Sequence, residues 1–150
     1  MPGDGVIREY WPNMFEACRE LFMKTFNSAP WNDSWTRESA GARLREFTDH
    51  RRFVGFTLWE GDALAGAVFC HAQTQYKGNE IVIEELFIAP DCQRKGYGTA
   101  LMDAVEAYAG KHAFWCVTLL TGRAYPSFAF YENRGYRHLE WLAFMHKKII

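Results

Sequence analysis

Apolar residues recur along this chain in two rhythms, and the switches between them predict its elements. Over residues 11–27 the stripe Phe15, Cys18, Phe22 and Phe26 follows helical spacing, which predicts a helix with one face turned to a sheet. A second helix follows, capped by Thr36, with Ala40, Leu44 and Phe47 apolar on one side. Between them residues 28–35 break the period. Residues 6–10, 53–59, 63–75 and 80–89 read as strands, and Glu60-Gly61-Asp62 makes a hairpin turn between the second and third. Residues 94–110 return to helical spacing with Leu101, Val105 and Tyr108 inward. A strand over 113–121, a short helix over 126–134 and a closing strand over 136–147 complete the chain.

Strand 80–89, helix 94–110 and strand 113–121 form a βαβ unit. Such units cross over right-handed, so their two strands run parallel inside a sheet that is otherwise antiparallel. Ligands of such units sit at the carboxyl ends of the strands, beside the N-terminus of the crossover helix. With 150 residues and neither linker nor internal repeat, the expectation is one domain over 1–150.

The turn entering the crossover helix, Gln93-Arg94-Lys95-Gly96-Tyr97-Gly98-Thr99, has the makings of an anion site. Two glycines let backbone approach a ligand, the first-turn N–H groups have no intrahelical acceptor, and the helix dipole favours negative charge. Arg94 and Lys95 add two cations. The mononucleotide loop G-x-x-x-x-G-K-[ST] is absent, and Leu101 stands where the dinucleotide fingerprint needs its third glycine. Phosphate fits; the common nucleotide loops do not.

The stretch Gln93-Arg94-Lys95-Gly96-Tyr97-Gly98 resembles the Q/R-x-x-G-x-G/A signature of the GNAT acyltransferase superfamily, and Phe130-Tyr131-Glu132-Asn133-Arg134-Gly135-Tyr136 resembles that family's closing F-Y-x-x-x-G-F/Y segment. The resemblance implies a mixed α/β (α+β) fold with a central, mostly antiparallel sheet, the βαβ crossover and helices on both faces. It further implies acetyl-CoA as co-substrate, with pyrophosphate on the turn at residues 93–99. The pantetheine arm would lie in a gap between splayed parallel strands, against the backbone of Leu86, Phe87 and Ile88. Tyr131 matches the position whose phenol protonates the departing thiolate. Ala124 stands where many relatives carry an asparagine, which removes one pantetheine contact.

Acyl transfer to an amine needs a base, because an alkylammonium group titrates near 10.4 and is mostly charged at neutral pH. Glu84 and Glu85 are the candidates: burial in an apolar strand raises a carboxyl pKa toward the useful range. Strand alternation sends them to opposite faces unless a bulge intervenes, so the residues leave the choice open; the resemblance favours Glu84. Both could instead hold structural salt bridges. The acceptor pocket is expected at residues 30–35, where Trp31 and Trp35 could enclose a substrate and Asp33 attract a cation. The same residues could equally plug the core edge and cap a helix.

Composition narrows the classes. Seventeen basic and eighteen acidic residues leave a net charge of −1, against a nucleic-acid binder with a broad basic face. Cys18, Cys70, Cys92 and Cys116 lack paired or zinc-like spacing, and His50, His71, His112, His138 and His146 share no ligand spacing on a helix, so no metal is expected. His138 and His146 would share one face of the closing strand. No membrane span or secretory leader is legible, which points to the cytoplasm. The expectation is an N-acetyltransferase acting on a small-molecule amine, with a homodimer left open. The alternatives are a non-catalytic acyl-CoA sensor and a protein-lysine acetyltransferase.

Overall fold

The computed structural model describes residues 4–150. By its contacts the chain divides into two compact units, Met1–Leu119 and Leu120–Ile150.

The first unit is a five-stranded sheet in the order β1 (Val6–Glu9), β2 (Phe53–Glu60), β3 (Ala63–Gln75), β4 (Gly78–Ile88) and β5 (Cys116–Leu119). The first three pairings are antiparallel and the last, β4 with β5, is parallel. Helices α1 (Phe15–Phe26) and α2 (Arg37–Thr48) connect β1 to β2, and α3 (Tyr97–Lys111) is the crossover between the parallel strands. Helix α2 starts where the sequence puts its cap. The Thr36 side chain accepts from Ser39 N–H at 3.0 Å, and Thr36 N–H donates to Ser39 Oγ at 2.9 Å, a capping box with serine at its third position.

Each face of the sheet receives its own helices. Phe69 and Phe87 project toward α1, where Phe22 sets its ring edge-on to Phe87 at 5.6 Å. Of the predicted stripe, Phe15, Cys18 and Phe22 are buried, while Phe26 is half-buried at the helix end. The opposite face meets α3 through Leu101 and Val105, both fully buried. Close approach there depends on Gly66: a Cβ at that position would come within 2.7 Å of Ile88 Cδ1 and 3.2 Å of Leu101 Cδ1.

Two irregularities of the sheet shape the region around the end of β4. Phe69 pairs with Glu85 and Cys70 with Ile83, so Glu84 is an extra residue with no partner on β3: a β-bulge. The parallel pairing of β4 with β5 runs only from Glu80–Cys116 to Ile83–Leu119. Beyond Ile83, β4 continues for five residues with no paired strand on that side among the described residues. The predicted strand 113–121 is thus shortened to four residues.

The second unit contains α4 (Pro126–Asn133), on which Tyr131 is buried between Phe130 and Tyr136, with ring centroids at 5.1 and 5.7 Å. Thr121 Oγ1 and Ser127 Oγ lie 2.7 Å apart across the start of this helix. The expected closing strand over 136–147 does not form. Leu142 N–H turns back to the Leu139 carbonyl at 3.1 Å, and the adjacent apolar residues Trp141 and Leu142 break the two-residue period there. His138 consequently shares no strand face with His146; it contacts Arg123 at 3.1 Å and packs near Phe128.

Phe22 joins helix, sheet and the loop after α1, so its removal tests the core of the first unit. Phe22→Ala should lower unfolding free energy by about 3–5 kcal/mol, read as a fall in the urea midpoint with an unchanged slope.

Candidate active site

A bulge intervenes at Glu84, where regular strand alternation would send the two carboxylates to opposite faces. At such a bulge two residues oppose one, and here both carboxylates emerge on the face of Phe69. Glu85 reaches Arg43 of α2 at 3.2 Å, and Glu84 reaches His71 of β3, Nδ1 to Oε1, at 3.0 Å. Burial holds the Glu85 carboxyl above its ordinary pKa. The charges of Glu84 and Asp33 push the same way, while Arg43 opposes.

The loop between α1 and α2 lies on the same side of the sheet. Asn27, just past α1, grips it: its side-chain amide donates to the Trp35 carbonyl at 2.9 Å and accepts Trp35 N–H at 2.8 Å. Asp33 N–H donates to the Phe26 carbonyl at 2.8 Å. Trp35 packs edge-on against Phe22 at 5.1 Å and Trp31 against Phe26 at 5.0 Å. Both indoles therefore contribute to the core edge while remaining half-exposed, and Asp33, exposed, accepts from Trp35 Nε1 at 3.1 Å.

Past Ile83 the backbone of β4 has an open edge that includes Leu86, Phe87 and Ile88. Leu86 and Ile88 are half-buried, and Phe87 is buried against α1. The Ile88 carbonyl also accepts from Thr25 Oγ1 at 3.3 Å. Pro90–Cys92 forms a single tight turn, and the chain enters α3 through Arg94 (φ 66°) and Gly96 (φ 82°), both left-handed. The first intrahelical bond runs from Ala100 N–H to the Gly96 carbonyl, so the N–H groups of Tyr97, Gly98 and Thr99 have no acceptor within the helix. A Cβ at Gly96 would meet nothing within 4 Å, so glycine is required there by backbone conformation, not by crowding.

One of the two cations expected here is already engaged. Glu60, the last residue of β2, accepts from Lys95 Nζ at 3.1 Å, from Cys92 Sγ at 3.3 Å and from the Tyr97 hydroxyl. These bonds hold the Glu60 carboxyl down at about 2, the Tyr97 hydroxyl contributing most, and raise the Tyr97 phenol to about 12. Arg94 stays exposed beside the helix terminus. Sequence patterns carry no sign of this role for Glu60, which lies at a hairpin turn far along the chain from its partners.

The cysteines stay protonated. Burial pushes the Cys18 thiol up to about 12 and the Cys116 thiol up to about 11, and it raises Cys70 and Cys92 as well. None is an activated nucleophile. Among the described residues, no three His, Cys, Asp or Glu side chains gather in a metal-binding group, and no helix is long and apolar enough to cross a membrane.

The parallel pairing of β4 and β5 thus stops beside a glycine-entered helix, with two acidic residues just past its end. The chain belongs to the acetyltransferase (GNAT) family, whose family model matches residues 15–136. No curated protein matches it. Among solved structures it resembles the aminoglycoside acetyltransferase AAC(6')-Iy in complex with a bisubstrate analogue, CoA-S-monomethyl-acetylneamine, at 16% identity and TM-score 0.77, over 98% of this chain and 100% of that one. A possible acetyltransferase from Clostridium difficile 630 matches at 12% identity and TM-score 0.81, over 97% and 99%. An aminoglycoside acetyltransferase from an uncultured soil metagenomic sample, in complex with sisomicin, matches at 16% and 0.75, over 97% of both chains. At these identities the likeness establishes the fold.

The latch at Glu60 has a pH signature. Its folded pKa of about 2 lies below the ordinary 4.5, so its contribution to stability is fully present above pH 4.5 and lost as pH falls through about 2. Glu60→Gln should therefore melt below the wild type above about pH 4.5, with the difference closing toward about pH 2, as thermal unfolding across that range would show.

Proposed function

We propose that this chain is an acetyl-CoA-dependent N-acetyltransferase that acts on a primary amine of a small molecule. The observation that carries the reading is the end of β4–β5 pairing at Ile83–Leu119, next to a bulge that turns Glu84 and Glu85 to one face. An open strand edge suits a peptide-like arm, which can hydrogen-bond to backbone as an added strand would. The free N–H groups at Tyr97–Thr99 and the Arg94 cation suit a pyrophosphate. The residues present therefore fit CoA, with Leu86, Phe87 and Ile88 along the arm and residues 93–99 at the phosphates.

Acetyl-CoA supplies the acyl group as an activated thioester, and the amine nitrogen replaces sulfur at the carbonyl carbon. The chain's own residues handle protons and orientation. Glu84, in reach of the acceptor side, takes the proton from the ammonium, directly or through water. Tyr131, by its match to the family segment, gives its phenolic proton to the leaving sulfur. With all four thiols held protonated, a covalent acyl-cysteine route is disfavoured, which supports direct attack.

Two of the similar structures are aminoglycoside acetyltransferases, one holding sisomicin and one a CoA–acetylneamine analogue. Glu84, Glu85 and the exposed Asp33 give the acceptor side an acidic character with half-exposed indoles beside it, which supports a cationic, amine-bearing acceptor here.

Thiol release should be measured with a panel of polyamines, aminoglycosides and amino acids. At least one amine should exceed background hydrolysis. For that amine, Glu84→Gln and Tyr131→Phe should each lower kcat by roughly 100-fold or more while acetyl-CoA affinity stays near the wild type. Tight donor binding with no transfer to any amine would replace this reading with an acyl-CoA sensor.

A further inference from the structure

Glu84 and Glu85 stand side by side, yet their partners differ in kind. Glu85 is held by the permanent charge of Arg43. Glu84 has the imidazole of His71 against it, Nδ1 to Oε1 at 3.0 Å, and both side chains are only partly exposed, at 17% for the histidine and 29% for the glutamate. His71 pairs with Val82 across the sheet, and Glu84, two residues past Val82 on the same face, falls beside it where the register shifts between Phe69 and Cys70. A nitrogen lone pair facing a carboxylate oxygen at this separation would repel it, so the ring hydrogen belongs on Nδ1.

His50 backs the ring. The two imidazoles stack with centroids 4.6 Å apart and planes inclined by 34°. Nδ1 of His50 accepts the backbone N–H of Arg52 at 3.0 Å, so a main-chain bond sets the orientation of that ring. One ring is fixed by backbone, and it fixes the next.

We propose that His71 is the positioning residue of Glu84: its Nδ1–H holds Oε1, so Oε2 is the oxygen that receives the acceptor's proton. The proposal rests on the acetyl-transfer function proposed for this site. The terminal torsion of a glutamate is broad, so without a donor nothing selects which oxygen faces the cleft. A base held in one orientation meets the ammonium at a fixed angle, whereas a rotating one spends most encounters misaligned. The proton moves from nitrogen to Oε2, and His71 keeps its own.

Two substitutions separate this role from packing. Asparagine places an amide N–H near the position of Nδ1–H, whereas phenylalanine fills the ring volume beside His50 and donates nothing. His71→Phe should lower kcat with the acceptor at least about tenfold, with KM for acetyl-CoA unchanged, and His71→Asn should recover most of the loss. Wild-type kcat in His71→Phe, or a His71→Asn variant no better than it, would overturn the proposal. A second measurement needs no turnover: imidazole 15N shifts in mildly alkaline buffer should show His71 as the Nδ1–H tautomer, reverting toward Nε2–H in Glu84→Ala. The Nε2–H form in both proteins would also overturn it. An inactive wild type with the expected tautomer change would instead remove the acetyl-transfer reading and leave the His71–Glu84 pairing standing.

Discussion

A single residue of β4 without a partner on β3 is the constraint on which the site depends. Were Glu84 paired in a regular ladder, alternation would send the two carboxylates to opposite faces. Inserting it as an extra residue resets the count, brings both carboxylates toward α1 and α2, and bends the strand that carries them. The parallel neighbour, bonded as far as Ile83, pairs with β4 no further once the bend begins. Acid groups and open backbone edge therefore begin at the same place on β4.

Charge in the first unit is partitioned into pairs, each with its own task. Glu60 binds Lys95 together with Tyr97 and Cys92, fixing the entry to α3 against the end of β2. Glu85 pairs with Arg43 and ties the bulge to α2, and Glu84 is left with a histidine. Arg43 sets a permanent cation against the burial that raises the Glu85 carboxyl, whereas Glu84 faces an imidazole. The division between the adjacent glutamates follows from what faces each, not from their identical chemistry.

Much of this was legible in the sequence, for reasons that differ by feature. Helices α1 and α2 followed from the spacing of Phe15, Cys18 and Phe22 and from Thr36, because local periodicity and capping are short-range. The turn entering α3 was legible because Gly96 and Gly98 stand directly before a run of helical spacing. The bulge was not, since inserting one residue in a run such as Ile81–Ile88 leaves no compositional mark. Glu60 and His71 were missed because their partners lie far along the chain, where only the folded register shows them. The closing strand over 136–147 failed for the opposite reason: alternation is necessary for a half-buried strand, yet a strand also needs a ladder to join, and residues 139–142 form a turn instead.

The grip of Asn27 on Trp35 carries a consequence for how such a protein can diversify. The segment it closes is tied back to the end of its own helix through one amide side chain and a few backbone bonds, so its framework relies little on the identities of the residues between. Mutational drift in positions 30–34 can therefore explore new recognition chemistry while the fork between the parallel strands stays untouched. In the acetyl-transfer reading proposed above, acceptor preference and donor handling become separately variable traits.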